Sequence, residues 1–428
     1  MRPMLADRPK KSHDPYAALK HANFRIFAVG KFLAEFGQQM LTVAVQWEIY
    51  ARTHSTFALG LIGLVSWIPI FLFILPAGSL ADRYNRKHIV LYTQLLFALC
   101  SFGLALTSHF LQSVPVMYAL LFVSGIAMAL SDPAKQSLLP QLLPKRDFPN
   151  AMTWNSTIMQ TASMAGPAIG GFLIAFWGYP TVYTIDALCA LSFFYFAWML
   201  KYTHPVTRTS KAITLESLAA GLKFVWKTKI ILATITMDLL VVILGGAVAL
   251  LPAFAKDVLH SGPMALGWLR AAPAIGAFLM ATLAAHLSPM QKSGQALLWA
   301  VGGFGVATVV FGLSHWFWLS FAMLFLTGAL DNISVIVRST LVQVLTPDSM
   351  RGRVNAVSFI FIHSSNQLGG FESGATAALL GLVPSVVLGG IGSILVVLGV
   401  LWIWPQVARL GSLANPMNQS PKGSEKTA

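Results

Sequence analysis

Long apolar runs alternate along the chain with short polar interruptions. Each run is close to 20 residues or longer, the length a helix needs to cross roughly 30 Å of hydrocarbon. Six fall at Phe24 to Tyr50, Phe57 to Ala81, His88 to Ser108, Val114 to Leu138, Met152 to Trp177 and Thr181 to Tyr202. A polar stretch follows, and six more runs fall at Ile230 to Ala255, Ala265 to Leu287, Gln295 to Leu313, Trp316 to Ser339, Val354 to Leu382 and Pro384 to Trp404. The pattern predicts an all-α membrane protein with twelve transmembrane helices. Its expected parts are a cytoplasmic N-terminal segment (1–23), a six-helix bundle (24–202), a cytoplasmic linker (203–229), a second six-helix bundle (230–404) and a disordered tail (405–428). An even number of crossings in each bundle puts both termini on the same, cytoplasmic, side. About twenty polar residues precede the first run and no small-residue cleavage site follows it, so the run is expected to be retained as a helix.

The first run is not uniformly apolar. Lys31, Glu35, Gln38, Thr42 and Gln46 advance by four, three, four and four residues, which keeps them on one face of a helix. A charge at the bilayer centre costs about 2.5–3.5 kcal/mol even on a lenient scale, so this stripe must face protein or water. It is either the wall of a cavity or a Lys31–Glu35 pair that joins helices. In the linker, Leu215, Leu218, Leu222 and Val225 line one side of a further helix with Lys223 and Lys227 beside them, the pattern of a helix lying on the inner leaflet.

Composition sharpens the class. The chain is 56% hydrophobic and 10% charged, far from the roughly one-quarter charged of a soluble domain. The formal charge of +14 suggests nucleic acid at first sight, but of 29 Lys and Arg residues all except Lys31, Arg52, Lys256 and Arg270 lie in the segments assigned to the cytoplasm or at the cytoplasmic ends of the runs that border them. The excess is topological, and no nucleic-acid partner is expected. The two cysteines, Cys100 and Cys189, sit singly in apolar runs, so neither a disulfide framework nor a metal site is indicated. No phosphate-binding glycine loop, metal-ligand cluster or nucleophile constellation appears, so no cofactor and no enzymatic activity are expected. A membrane-embedded enzyme acting on lipid lacks a catalytic pair.

The halves repeat. Gly125, Lys135, Pro144 and Asn150-Ala151 have the spacing of Gly328, Arg338, Pro347 and, soon after, Asn355-Ala356, an offset of about 203 residues. Two parallel repeats related by an axis along the membrane normal, with a site between them, are the frame that alternating access requires. Several ionisable groups lie inside the runs. Asp331 and Arg338 share a face near the cytoplasmic end of the tenth, as a gate or interfacial salt bridge or as part of a binding site. Glu372, on the face of Ser358, Ser365 and Gly369, and Asp238, with Thr234 one turn before it, are candidates to take up and release a proton, or are permanent helix contacts. Asp186 lies near the outer end of the sixth run. His363 is weighed as packing against ligand binding.

Two motifs carry a resemblance. Gly78-Ser79-Leu80-Ala81-Asp82-Arg83-Tyr84-Asn85-Arg86-Lys87 joins the second and third runs. It resembles the G-x-L-a-D-r-x-G-R-[RK] hairpin of the major facilitator superfamily of transporters, with Asn85 where the family usually has glycine. Under the offset Asp82 maps to Ala285, so the motif occurs in the first half alone. Gly166-Pro167-Ala168-Ile169-Gly170-Gly171 resembles the G-P-x-x-G-G motif of exporting branches, and Gly166 and Gly170 also form a small-residue packing face. The segments Phe24 through Gly37 and Asp331 through Val354 look like the branch that holds siderophore (enterobactin-type) exporters and macrolide-type efflux proteins.

The resemblance implies the major facilitator fold, with Asp82 latching the cytoplasmic side against the start of helix 11 near Val354 and with Gly78, Arg83, Arg86, Lys87, Asp331 and Arg338 completing the switch. Lys31, Glu35, Gln38, Asp238 and Glu372 become cavity residues for substrate or protons. Many proton-coupled drug exporters of the superfamily place an arginine in helix 4, and Tyr118 to Gly125 has none. The expected function is secondary transport in the cytoplasmic membrane, exporting a small amphipathic solute, drug-like or a siderophore, in exchange for protons. An importer or a lipid flippase of the same fold is the alternative. Expected partners are the solute, protons and membrane lipids, with the protein monomeric.

Overall fold

A computed structural model describes residues 14–201, 215–287 and 290–411; within these, the side chains of residues 74–75, 78–79, 81–83, 215–217 and 348–349 lie outside the description. Every regular element among the described residues is helical. The chain runs through α1 (Ala22–Thr53), α2 (Thr56–Arg83), α3 (Arg86–Leu106), α4 (Val114–Leu138), α5 (Phe148–Trp177) and α6 (Tyr179–Met199). A shorter α7 (Leu215–Lys227) leads into α8 (Lys229–Leu244), the single turn α9 (Leu251–Ala253), α10 (Pro263–His286), α11 (Ser293–Leu313), α12 (Phe317–Leu345), α13 (Asp348–Leu380) and α14 (Leu382–Ile403). Among the described residues ten segments are long and apolar enough to cross a membrane. The long helices outside that set are α1 and α13. Both are interrupted by polar and charged residues, such as Lys31, Glu35 and Glu48 in α1 and Arg351, Arg353 and Glu372 in α13, which costs them the apolar average while leaving their length intact.

Packing follows the repeat. In the first half α1 packs on α5 and α6, α2 on α4, and α3 on α4 and α6; in the second, α8 packs on α13 and α14, α10 on α12, and α11 on α12 and α14. Those are the same pairings in the same order. The halves meet chiefly through α2 on α13 and α5 on α10. Backbone details obey the 203-residue offset too: α5 ends on Gly178 (φ 78°) and α13 on Gly381 (φ 94°), left-handed positions that a side chain would strain.

The hydrophobic core divides by depth. The connections 84–85, 139–147 and 290–292 lie at one end of the molecule and carry Lys145, Arg146 and Lys292, with Arg86 and Lys87 opening α3 beside them; we call it the basic end. Toward the opposite end one apolar cluster is shared by both halves and includes Met40, Tyr183, Phe254, Phe311 and Val386. Toward the basic end the core splits, with Phe24, Val90, Leu138 and Phe193 in one cluster and Ala233, Leu297, Val337 and Val400 in another. The halves are therefore held together at the end opposite the basic connections.

The elements differ from the sequence expectation in three places. The ten-residue hairpin shrinks to Tyr84 and Asn85, because α2 stays helical through Arg83 and the Asn85 side chain caps α3 by accepting from the Lys87 amide at 3.0 Å. The seventh run breaks at Gly245-Gly246, after which the chain continues as a 3-10 turn (Ala247–Leu250), α9 and a π turn (Phe254–Val258). The linker helix α7 docks on protein through Val225, 2% exposed, in a cluster with Ile231, Val354 and Val357, while Leu222 and Trp226 point outward. Leu215 has its side chain outside the described residues.

A cavity between the repeats

Alternating polar positions on α1 have a common destination. Glu35, Gln38, Thr42 and Gln46 line a cavity of about 610 Å³ that is also walled by Ser66 of α2, Ser101 of α3, Lys135 of α4, Asp186 of α6, Asp238 of α8, Arg270 of α10 and Asp331 of α12. Both halves contribute. Apolar side chains such as Ile62, Val241 and Phe304 fill the wall between these polar groups, the mixture expected of a site for an amphipathic solute.

The cavity is closed where glycines let backbones touch. A methyl group added to Gly171 would come 2.4 Å from the Pro263 carbonyl and 2.9 Å from Gly267 Cα, and one added to Gly374 would come 2.6 Å from Gly60 Cα. Gly374 is Gly171 plus 203 and Pro263 is Gly60 plus 203, so these contacts are mates under the repeat. In the same motif Gly166 and Gly170 face Gln39 and Met40 of α1. The glycine-proline motif thus packs α5 against its own half on one side and against α10 on the other, with the Pro167 carbonyl abutting Gly267.

Polar links reinforce this closed end. Tyr50 of α1 donates to Asp257 in the π turn, and Arg270 of α10 donates to Gln46 Oε1 of α1 at 2.7 Å. Between Gln46 and Tyr50 on α1, Glu48, fully buried, accepts from Arg52 Nε (2.8 Å), Arg52 Nη2 (2.5 Å), Ser108 Oγ (2.7 Å) and Tyr183 Oη (2.7 Å). Four donors satisfy a carboxylate that would otherwise be costly to bury. The sequence reading passed over Glu48, although Arg52 one turn later was the available signal. Trp67 Nε1 of α2 donates to Ser364 of α13 at 3.0 Å, nearer the middle.

Charged residues expected at the switch and in the cavity fall into separate groups. Arg338 forms an ion pair with Asp238, joining α12 to α8, and both side chains are about a tenth exposed. Asp331 lines the cavity near that pair. Behind it a smaller cavity of about 140 Å³ is lined by Asp238, Arg338, Ser358 and Phe361, so the pair separates two spaces. Lys31 donates to Asn155 of α5 at 2.5 Å. Lys135 pairs with Asp132 at 3.5 Å. Asp186 accepts from Ser101 at 2.5 Å, across α3 and α6. Glu372 accepts from Thr376 at 2.8 Å and Ser373 at 3.4 Å on its own helix and is not brought to the cavity wall.

The described hydrogen bonds of Lys87 and Arg86 go to their own half. Lys87 donates to the Trp198 and Leu200 carbonyls (2.8 and 2.7 Å), at the C-terminus of α6 where a cation offsets the helix dipole, and Arg86 reaches the Ser137 carbonyl at 3.5 Å. The Gly78 position and the side chains of Asp82 and Arg83 fall outside the described ones. Residues 14–21 dock at the start of α5: Ala18 N donates to Asn150 Oδ1 at 2.9 Å and His21 meets Asp147 at 2.8 Å.

The profile of a family described as "Transmembrane secretion effector" matches residues 13–421. The chain belongs to that family, MFS_3. Among known proteins it is similar to the enterobactin exporter EntS of Escherichia coli O1:K1 / APEC, 27% identical over 383 residues that cover 89% of this chain and 91% of that one. The same figures hold for EntS of Shigella boydii serotype 18. Among solved structures, a bacterial homologue of the iron transporter ferroportin in an inward-facing state superposes with a TM-score of 0.69 at 16% identity, over 90% of this chain and 98% of that one. The nucleoside transporter NupG superposes at 0.70 with 11% identity, covering 90% and 99%. Those two likenesses are of fold. Members of this family and its structural neighbours are multi-pass membrane transporters, not enzymes.

Proposed function

We propose that this protein is a secondary active transporter of the cytoplasmic membrane that exports a small amphipathic solute, drug-like or a siderophore, by alternating access and in exchange for protons. The observation that carries the reading is a cavity walled by both repeats and shut at one end by matched glycine contacts. Its frame is twelve transmembrane helices in two pseudo-symmetric six-helix bundles, with both termini and the basic connections in the cytoplasm, where the positive-inside bias puts them. In that orientation the closed end is the outer one, and rocking of the bundles about the glycine contacts would open it.

Coupling fits the charge layout. A proton delivered to Asp238 would release Arg338 and let α8 and α12 part; Glu35 and Asp331 are further carboxylates on the same water-accessible space. One proton moving down 100 mV supplies about 2.3 kcal/mol, equivalent to a solute gradient of roughly fiftyfold. The gate at the basic end is assigned to Gly78, Asp82, Arg83, Arg86 and Lys87, with Asp331 and Arg338 across from them. Direction is taken from the exporter named among the relatives.

The test is transport in inside-out membrane vesicles against a panel of siderophores and amphipathic drugs. Export predicts accumulation when a proton gradient is imposed and its loss when a protonophore collapses the gradient. Accumulation confined to right-side-out vesicles would reverse the direction, and accumulation indifferent to the gradient would end the proton-exchange reading.

A further inference from the structure

Two cations line the central cavity among the described residues, Lys135 and Arg270, and they are treated differently by their neighbours. Lys135 has Asp132 at 3.5 Å. Among the described residues Arg270 has no carboxylate within 4.0 Å; its hydrogen bond goes to the neutral Gln46 at 2.7 Å. Confining a guanidinium in a membrane helix without a counter-charge is unfavourable, and its five donors are far from used by one amide oxygen. We propose that the transported solute carries an anionic group, a carboxylate or its chemical equivalent, and that Arg270 is the residue that binds it. This rests on the cavity being the solute's site, as proposed above.

The layout of the cavity orients such a solute. Arg270 lies one turn beyond Gly267, which packs on Gly171 at the closed end. Glu35 lies eleven residues from Gln46 along α1, roughly 16 Å at a rise of about 1.5 Å per residue. Asp186 lies at the level of Gly37, where a methyl group would meet its Oδ1 at 2.6 Å. Of the two cavity cations Arg270 is thus the one at the closed end, while Lys135, in the last turn of α4 at the basic end, is paired with Asp132, and Glu35 and Asp186 add negative charge on that side of Arg270. An anionic head would be drawn to Arg270 and repelled by Glu35 and Asp186, while its apolar body rests on Ile62, Val241 and Phe304.

Binding at Arg270 also acts on the gate. The Arg270–Gln46 bond runs between α10 and α1, from one half to the other. A carboxylate offers two oxygens in the planar geometry that a guanidinium prefers, so it outcompetes an amide. Arrival of the solute would replace a link between the halves with a link to the solute, loosening the closed end only when cargo is present.

The experiment compares two aromatic probes of the same shape, 2-naphthoate and 2-naphthamide, binding to the purified full-length protein in proteoliposomes. The expected result is affinity for naphthoate at least about tenfold greater, equivalent to about 1.4 kcal/mol. Arg270→Gln should bring the two probes within about twofold of each other, a difference under about 0.5 kcal/mol, while naphthamide binding persists as the check that the variant is folded. Arg270→Lys should keep part of the preference. Equal binding of the probes by the unaltered protein, a preference that survives Arg270→Gln, or no naphthoate binding at all would overturn the proposal. Failure of gradient-driven accumulation in vesicles with the naphthoate preference intact would sink the transport reading and leave the anion site standing.

Discussion

The two halves carry the same pair of charges and use them differently. Glu35 and Asp238 are 203 residues apart, and so are Lys135 and Arg338, so each half has an acid on its first long helix and a base on its fourth. In the second half acid and base close on each other between α8 and α12. In the first half Glu35 stays on the cavity wall and Lys135 turns to Asp132, three residues earlier on its own helix. The position matching Asp132 is Val335. With no acid one turn before it, Arg338 has to find its counter-charge across the helix interface. One local substitution in a duplicated sequence therefore decides whether a base serves its own helix or bridges two.

The sharpest way to break the comparison is to remove one member of the closed pair. Arg338→Ala should lower stability by about 3–5 kcal/mol, because Asp238 is left charged and unpartnered inside the protein. The double variant Asp238→Ala/Arg338→Ala should recover most of it. Thermal unfolding of the purified protein reads both, and a double variant as unstable as the single one would show that the pair is not what matters. For transport, Asp238→Asn should slow proton-driven accumulation about tenfold or more, a barrier increase of about 1.4 kcal/mol, and should exceed the effect of Glu35→Gln. Vesicle uptake at matched expression measures the ratio; a larger loss with Glu35→Gln would move the coupling site to the first half.

The glycine mates give a smaller and more symmetrical effect. Gly171→Val and Gly374→Val would each place a Cβ 2.4–2.6 Å from backbone atoms of the facing helix, inside van der Waals distance, and each should cost about 1–3 kcal/mol, the range for overpacking. Similar unfolding shifts are expected for the two. A shift at one site alone would mean that the repeat does not extend to its contacts. The smallest change belongs to the open pair: Lys135→Ala should cost about 0.2–1 kcal/mol, since its partner Asp132 is a third exposed and the ion pair long. The same melting measurement would expose a larger loss, which would show Lys135 holding the first half as Arg338 holds the second.

Periodicity alone made part of this legible. The four-three-four-four spacing on α1 put Lys31, Glu35, Gln38, Thr42 and Gln46 on one face; the last four line the cavity, whereas Lys31 donates to Asn155 of α5. The repeat was visible in Gly125 to Lys135 against Gly328 to Arg338, and it extends to helix pairings and to Gly178 and Gly381. Partner choice was not legible. Arg338 shares a helix face with Asp331, but its ion pair is with Asp238, because proximity along one helix says nothing about what a neighbouring helix offers. Glu372 looked like a cavity group from its helix position, yet Thr376 and Ser373 provide its hydrogen bonds locally. The Tyr50–Asp257 and Gln46–Arg270 links join residues more than 200 positions apart, and no local pattern encodes them.

The break at Gly245-Gly246 divides one membrane crossing into two mechanical pieces. Its lower rod holds Asp238 and is anchored to Arg338; its upper cap holds Asp257 and is tied to Tyr50. Because no continuous backbone hydrogen-bonded ladder spans the two, a swivel of the cap need not wrench the rod. The clasp at the closed end and the buried charge pair thus sit on separate pieces of what would otherwise be a single rigid strut, and neither has to move for the other to open.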